Sequence, residues 1–186
     1  MVVLGDKQVG QTSFIQSFME GKCPESTEVT IEDCEYRKKI SWPGEESFFL
    51  KVVDVAYTGN ETNIQCRGQS YILIFDLTER KTFDELSRYI ERIRIANNLP
   101  KTDKIPFALV GNKVDIVNFK KNSREVKKSE ALHFAKSLGG NKHCYFESSP
   151  KESINVEEPF QYAVKALWAK LEQSVQKGND EKCQVQ

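Results

Sequence analysis

The stretch Gly5-Asp6-Lys7-Gln8-Val9-Gly10-Gln11-Thr12 follows a short apolar run, Val2 to Leu4. It opens into Ser13-Phe14-Ile15-Gln16-Ser17-Phe18, whose apolar residues recur at helical spacing. Strand, glycine-bracketed loop and helix form the context that a phosphate-binding loop requires. Gly5 and Gly10 allow backbone angles closed to other residues, so successive N–H groups can turn inward onto an anion. The following helix adds its N-terminal N–H groups and dipole, and Thr12 adds a hydroxyl where such loops hold magnesium. The full pattern is G-x-x-x-x-G-K-[ST], and Gln11 stands in the lysine position. Glutamine donates a hydrogen bond but brings no charge to phosphate. Three further stretches carry unusual polar residues: Asp54, the run Asn112-Lys113-Val114-Asp115, and the run Glu147-Ser148-Ser149-Pro150-Lys151.

These residues have to be positioned by the elements between them. Met1 to Leu4 reads as a strand, and Gln11 to about Glu20 as a helix stopped near Gly21 and Pro24. Residues 21–33 read as a polar loop. Cys34 to Ser41 and Ser47 to Asp54 read as a hairpin joined by Trp42-Pro43-Gly44-Glu45, which suits a type II turn. Residues 55–69 lack periodicity and read as a loop. Tyr71 to Phe75 is continuously apolar, as in a strand buried on both faces. Thr82 and Glu85 have the spacing of a capping box ahead of a helix carrying Leu86, Tyr89, Ile90, Ile93 and Ile95. Ile105 to Val110 predicts another buried strand, residues 116–128 a basic polar loop, and Ser129 to Leu138 a helix ended by Gly139-Gly140. A short strand, His143 to Phe146, and a final amphipathic helix over about Asn155 to Val175 complete the chain. Alternation of strands and helices implies a mainly parallel sheet with helices on both faces and one antiparallel hairpin strand. Ligands of such sheets bind beyond the carboxyl ends of the strands. The loops after the first, third, fifth and sixth strands should therefore meet at one site.

Composition narrows the classes. The 186 residues suit one domain, with 1–176 as that domain and 177–186 as a flexible tail. Basic and acidic residues balance at 27 each, so no overall field points to nucleic acid. There is no apolar run of membrane-spanning length and no signal-peptide pattern. The five cysteines are scattered and show no C-x-x-C spacing, which argues against a disulfide framework or zinc site and for a reducing, cytoplasmic setting.

The four stretches, in this order on this strand-helix pattern, resemble the Ras superfamily of small GTPases over nearly the whole chain. Thr30-Ile31-Glu32-Asp33 resembles the effector segment of its Ras branch. The resemblance implies the three-layer P-loop fold, α/β, with a mostly parallel six-stranded sheet, and a monomer that binds GTP or GDP with magnesium. The phosphate contacts would come from Gly5 through Ser13. Asp115 would accept two hydrogen bonds from guanine, a charge-assisted pair. Asn112 would tie the base loop to the phosphate loop, the Lys113 stem would cover the base, and Ser148, Ser149 and Lys151 would complete its pocket. Thr12 and Thr30 would ligate magnesium, with Asp54 holding its water shell. Effector proteins would read Thr30 to Asp33, and exchange and activating factors would act on the switch.

Several positions depart from the family's pattern. Gln11 removes the cation that neutralises phosphate. Cys23 replaces an aromatic ring against the base. Pro150 replaces a residue whose N–H reaches guanine, and proline has no N–H to give. In the second switch, Asp54-Val55-Ala56-Tyr57-Thr58-Gly59-Asn60 lacks the water-orienting glutamine. Thr58 stands in that position without a gap, Asn60 with a two-residue insertion. Lys7 fills a position that is small in most Ras relatives, where a side chain can obstruct an activating protein's arginine. The chain ends Cys183-Gln184-Val185-Gln186, which fits a prenylation box for a farnesyl group and hence reversible membrane contact. Two readings follow: a Ras-type switch with weak nucleotide binding and slow hydrolysis, or a pseudo-GTPase interaction module on the same scaffold. A third, an ATP-dependent P-loop kinase or ATPase, is disfavoured by the Asn112 to Asp115 run and the lack of a recognisable substrate lid.

Overall fold

The structure is a computed structural model describing residues 1–25, 32–41, 47–56 and 66–183, with the backbone alone for 175 and 177–183. Thr30, Thr58, Asn60, the Trp42 to Glu45 turn and Gln184 to Gln186 lie outside the described residues. The strands are β1 (Val2–Gly5), β2 (Cys34–Ile40), β3 (Phe48–Asp54), β4 (Tyr71–Asp76), β5 (Phe107–Asn112) and β6 (Tyr145–Glu147). The helices are α1 (Gln11–Glu20), α2 (Arg80–Asp84), α3 (Leu86–Ala96), α4 (Val114–Phe119), α5 (Lys128–Ser137) and α6 (Glu158–Cys183). The sheet order is β2-β3-β1-β4-β5-β6. β2 pairs antiparallel with β3, and every other pair is parallel. The α/β architecture expected from the strand-helix alternation is thus present.

Burial explains the strand types. All six residues of β4 and all six of β5 are buried, so apolar side chains serve both faces. β1 has four residues, all buried, and ladders to β3 on one side and β4 on the other. Its shortness is offset by its central place. One core packs β4 and β5 residues against Leu86, Tyr89, Ile93 and Ala131 from α3 and α5. The opposite core packs Val3, Ile72 and Val110 against α1 and α6. There the Phe18 and Phe160 rings stack at 3.7 Å, with Phe14 at 5.2 Å from Phe160. Two cores on two faces hold the strand ends, and hence the loops beyond them, in fixed relation.

Four local expectations are corrected. Thr82 is not a helix N-cap: it lies within α2, and its hydroxyl donates to the Glu79 carbonyl at 2.7 Å while accepting the Asp76 N–H at 3.0 Å. The hydroxyl closes the turn after β4 instead, and Glu85 precedes α3 and pairs with Arg88 at 2.8 Å. The loop expected from residue 116 begins as helix α4. β5 runs two residues beyond Val110, so Asn112 is its last residue. α6 starts at Glu158 and continues through Cys183, so its backbone is helical well into the stretch expected as a tail.

Candidate functional site

The loop between β1 and α1 is shaped by two left-handed residues, Gln8 (φ 60°) and Gly10 (φ 84°). A Cβ on Gly10 would come within 2.6 Å of Asn112 Nδ2, so glycine is required where the Asn112 amide passes under the loop. A Cβ on Gly5 would come within 2.5 Å of the Ile74 carbonyl. The Tyr89 hydroxyl, from α3, donates to the Gly5 carbonyl at 2.9 Å. Asp6 accepts the Lys7 N–H at 2.7 Å, and the Lys7 side chain is exposed.

Asn112 gathers three loops. Its Nδ2 donates to the buried Val9 carbonyl at 2.8 Å, and its Oδ1 accepts the Ser148 hydroxyl at 3.1 Å. Asn112 and Ser148 are both buried. Val114 N–H donates to the Ser148 carbonyl at 3.0 Å and Ser148 N–H to the Gly111 carbonyl at 2.9 Å. Buried polar groups this fully paired define one arrangement. Lys113 takes a left-handed φ of 64°, and its ammonium pairs with Asp76 Oδ2 at 2.7 Å. Asp76 also accepts from the Thr78 N–H and hydroxyl. Asp76 is a polar residue at this end of the sheet that the motif reading missed. The available signal was a lone carboxylate ending an apolar strand at the ligand end of the sheet.

Asp115 lies in the first turn of α4, half-buried, with no hydrogen-bond or ion-pair partner among the described residues. Burial raises the Cys23 thiol pKa, the Asp115 charge raises it further, and Lys151 works the other way. Asp115 and Lys151, from separate segments, thus both lie within electrostatic reach of Cys23. Ser149 is buried and its backbone is committed to Ile154 in both directions, at 3.0 and 2.9 Å. Beside this loop Arg124 grips Glu147 with two bonds of 2.9 and 2.8 Å, and the Tyr145 hydroxyl donates to the same carboxylate at 2.9 Å. Burial opposes the Glu147 charge, yet Arg124 and Tyr145 hold its pKa below the usual glutamate value.

The phosphate-loop end has a different character. Gln11 Nε2 donates to Asp54 Oδ1 at 2.7 Å and to the Val55 carbonyl at 3.0 Å. The amide at the lysine position therefore points across to the end of β3. Asp54 is 1% exposed, and its Oδ2 has no hydrogen-bond partner. Burial pushes the Asp54 pKa up, Gln11 and Thr12 favour its charged form, and Asp33 raises it further. Asp33 Oδ1 accepts the Ala56 N–H at 2.9 Å, which ties the chain just before β2 to the chain just after β3. An orphaned buried carboxylate oxygen next to the Thr12 hydroxyl is a donor set that fits magnesium. Ser13 follows on α1, half-buried. Of the expected residues, the phosphate loop, Asp54, Asn112 to Asp115 and Ser148 to Lys151 come together at one end of the sheet.

Comparison with known proteins agrees with this geometry. The sequence profile of the Ras family matches residues 1–169. Ras-like protein rasB of Dictyostelium discoideum is 30% identical over 187 residues, 98% of this chain and 88% of that protein. Ras-related protein Rab7 of Pisum sativum is 31% identical over 172 residues, covering 89% and 80%. Ras-like protein 1 of Saccharomyces cerevisiae is 31% identical over 164 residues, 86% of this chain; the chain spans about half, 49%, of that longer protein. A connected set of loops beyond a mostly parallel sheet, matched by a family profile over nearly the whole chain, places this protein in the Ras family of small GTPases.

Proposed function

We propose that this chain is a Ras-like signalling protein that takes GTP or GDP with magnesium through a weakened site and hydrolyses GTP slowly or not at all. The observation that carries the reading is the Gln11 amide, engaged by Asp54 and Val55 at a position where the fold offers phosphate a cation. The base end supports binding: Asn112 and Ser148 fix the loop, and Asp115 is left to accept from guanine. The phosphate end supports weakness. The Gly5 to Gly10 backbone supplies N–H groups, and Thr12 with Asp54 holds acceptor oxygens, but within the loop and the described residues of β3's end no side chain brings positive charge except exposed Lys7. Magnesium, when bound, supplies charge neutralisation at the phosphate oxygens. Losing a charged hydrogen bond to phosphate costs about 1–3 kcal/mol, one to two powers of ten in affinity. The absence of a water-orienting glutamine in the sequence supports slow hydrolysis.

The same Gln11 bridge favours a second reading, a pseudo-GTPase module. With Asp33 bonded to Ala56 and Gln11 to Val55, contacts within the protein already brace the effector side. Effectors at the Thr30 to Asp33 segment, exchange and activating factors, a monomeric state and farnesylation of Cys183 at a cytoplasmic membrane face belong to both readings. Mass spectrometry of the protein from eukaryotic cells tests the lipid. Thermal melts of nucleotide-stripped protein with GDP, GTP or ATP plus magnesium, for wild type and Gln11→Lys, separate the readings. Ligand at a thousand times its dissociation constant adds about 4 kcal/mol. A guanine-specific rise in wild type, enlarged in Gln11→Lys, supports the weakened switch. No shift in wild type, with or without one in Gln11→Lys, supports the module.

A further inference from the structure

We propose that the tip formed by Ile116, Phe119, Lys120 and Lys121 is a docking site for an anionic lipid surface. α4 anchors one face in the core through Val114, which is 6% exposed, and turns the other outward. On that outer face, Ile116 and Phe119 are one helical turn apart. Phe119 is 95% exposed and Ile116 38%. Lys120 and Lys121 follow directly, both exposed and without an ion pair among the described residues. Of the acids nearest in sequence, Glu125 accepts the Arg80 N–H at 2.7 Å, and Asp115 is half-buried in the first turn of α4.

The tip is built rather than loose. Lys120 N–H closes onto the Ile116 carbonyl at 2.8 Å. Ser123 bonds the Lys120 carbonyl twice, by its N–H at 3.3 Å and its hydroxyl at 2.8 Å. Asn122 takes the left-handed φ of 66° that this turn needs. The Arg124 grip on Glu147 then pins the chain to β6.

Charge and shape choose the occupant. Protein interfaces are depleted in lysine, whereas each lysine near an anionic membrane contributes about a fivefold gain in binding. A protruding aromatic side chain needs a pocket on a protein partner, but it enters a headgroup region without one. The proposal does not depend on Cys183 or on nucleotide.

The test uses the full chain made in bacteria, without lipid modification, and sedimentation with phosphatidylcholine vesicles with and without phosphatidylserine. Wild type partitions onto the phosphatidylserine vesicles, and added salt releases it. Lys120→Gln with Lys121→Gln lowers partitioning about 25-fold, on the order of fivefold per lysine. Phe119→Ala lowers it about tenfold, whereas Phe119→Trp keeps binding and shifts its emission to the blue on vesicles. These exposed substitutions leave the melting temperature in place. No vesicle binding by wild type, equal binding to both vesicle types, or binding indifferent to the paired lysine substitutions or to Phe119→Ala overturns the proposal. The first of these outcomes would redirect the search to an acidic protein partner.

Discussion

The two ends of the candidate site are built on opposite principles. At the base end, Asn112 and Ser148 spend their hydrogen bonds on the scaffold, and the Asp115 carboxylate is left without a described partner. At the phosphate end the polar side chains bond to one another and to nearby backbone: Gln11 holds Asp54 and the Val55 carbonyl, and Asp33 holds the Ala56 N–H. The first arrangement keeps a functional group waiting on a rigid frame. The second keeps the frame and turns the functional groups inward. A loop can therefore retain the backbone of a phosphate cradle after losing its charge, because Gly10 and Asn112 hold that backbone independently of residue 11.

The sharpest way to break the contrast is Asn112→Ala. It strands the buried Val9 carbonyl and Ser148 hydroxyl, and stability should fall by about 2–4 kcal/mol in urea unfolding. Next is Glu147→Gln, which weakens the two-bond grip of Arg124. A loss of about 1–2 kcal/mol is expected at neutral pH. Because the folded pKa of Glu147 lies below its unfolded value, this stabilisation is complete above the ordinary glutamate pKa. It disappears as pH falls through the lower folded value. Melts of wild type and Glu147→Gln should therefore converge in acid and separate above it. Gln11→Ala should cost about 1 kcal/mol in the absence of ligand, since it removes two hydrogen bonds at a part-buried site. A cost near zero would mean that the bridge does not brace the fold. Phe49→Thr serves as the baseline: Phe49 is 72% exposed on β3, and its replacement should move stability by less than about 0.5 kcal/mol.

Much of this was legible in the chain. The unbroken apolar runs of β4 and β5 announced central strands, and the motif order announced which loops would meet. Short-range signals were less secure. Thr82 and Glu85 have the spacing of a capping box, but the hydroxyl was drawn into the turn after β4, a competition that spacing cannot decide. α4 is only six residues long and sits in a polar stretch, so periodicity could not detect it. Gln11 was legible as a missing cation but not as a bridge. Its partner Asp54 lies 43 residues away, and the contact exists only because β1 and β3 are neighbours in the sheet. Asp76 escaped for the same reason, as its pairing with Lys113 needs β4 and β5 in register.

The bond from the Tyr89 hydroxyl to the Gly5 carbonyl has a mechanical consequence. Gly5 is the last residue of β1, where the strand becomes loop, and Tyr89 belongs to a helix whose far side reaches solvent at Ile95, 77% exposed. Any displacement of the loop at its root must drag that phenol or break its bond. α3 is thereby geared to the loop, a handle on the flank of the molecule through which a push at either place is felt at the other. Amide exchange along Leu86 to Ala96 would register that motion, at a distance from whatever molecule occupies the loop.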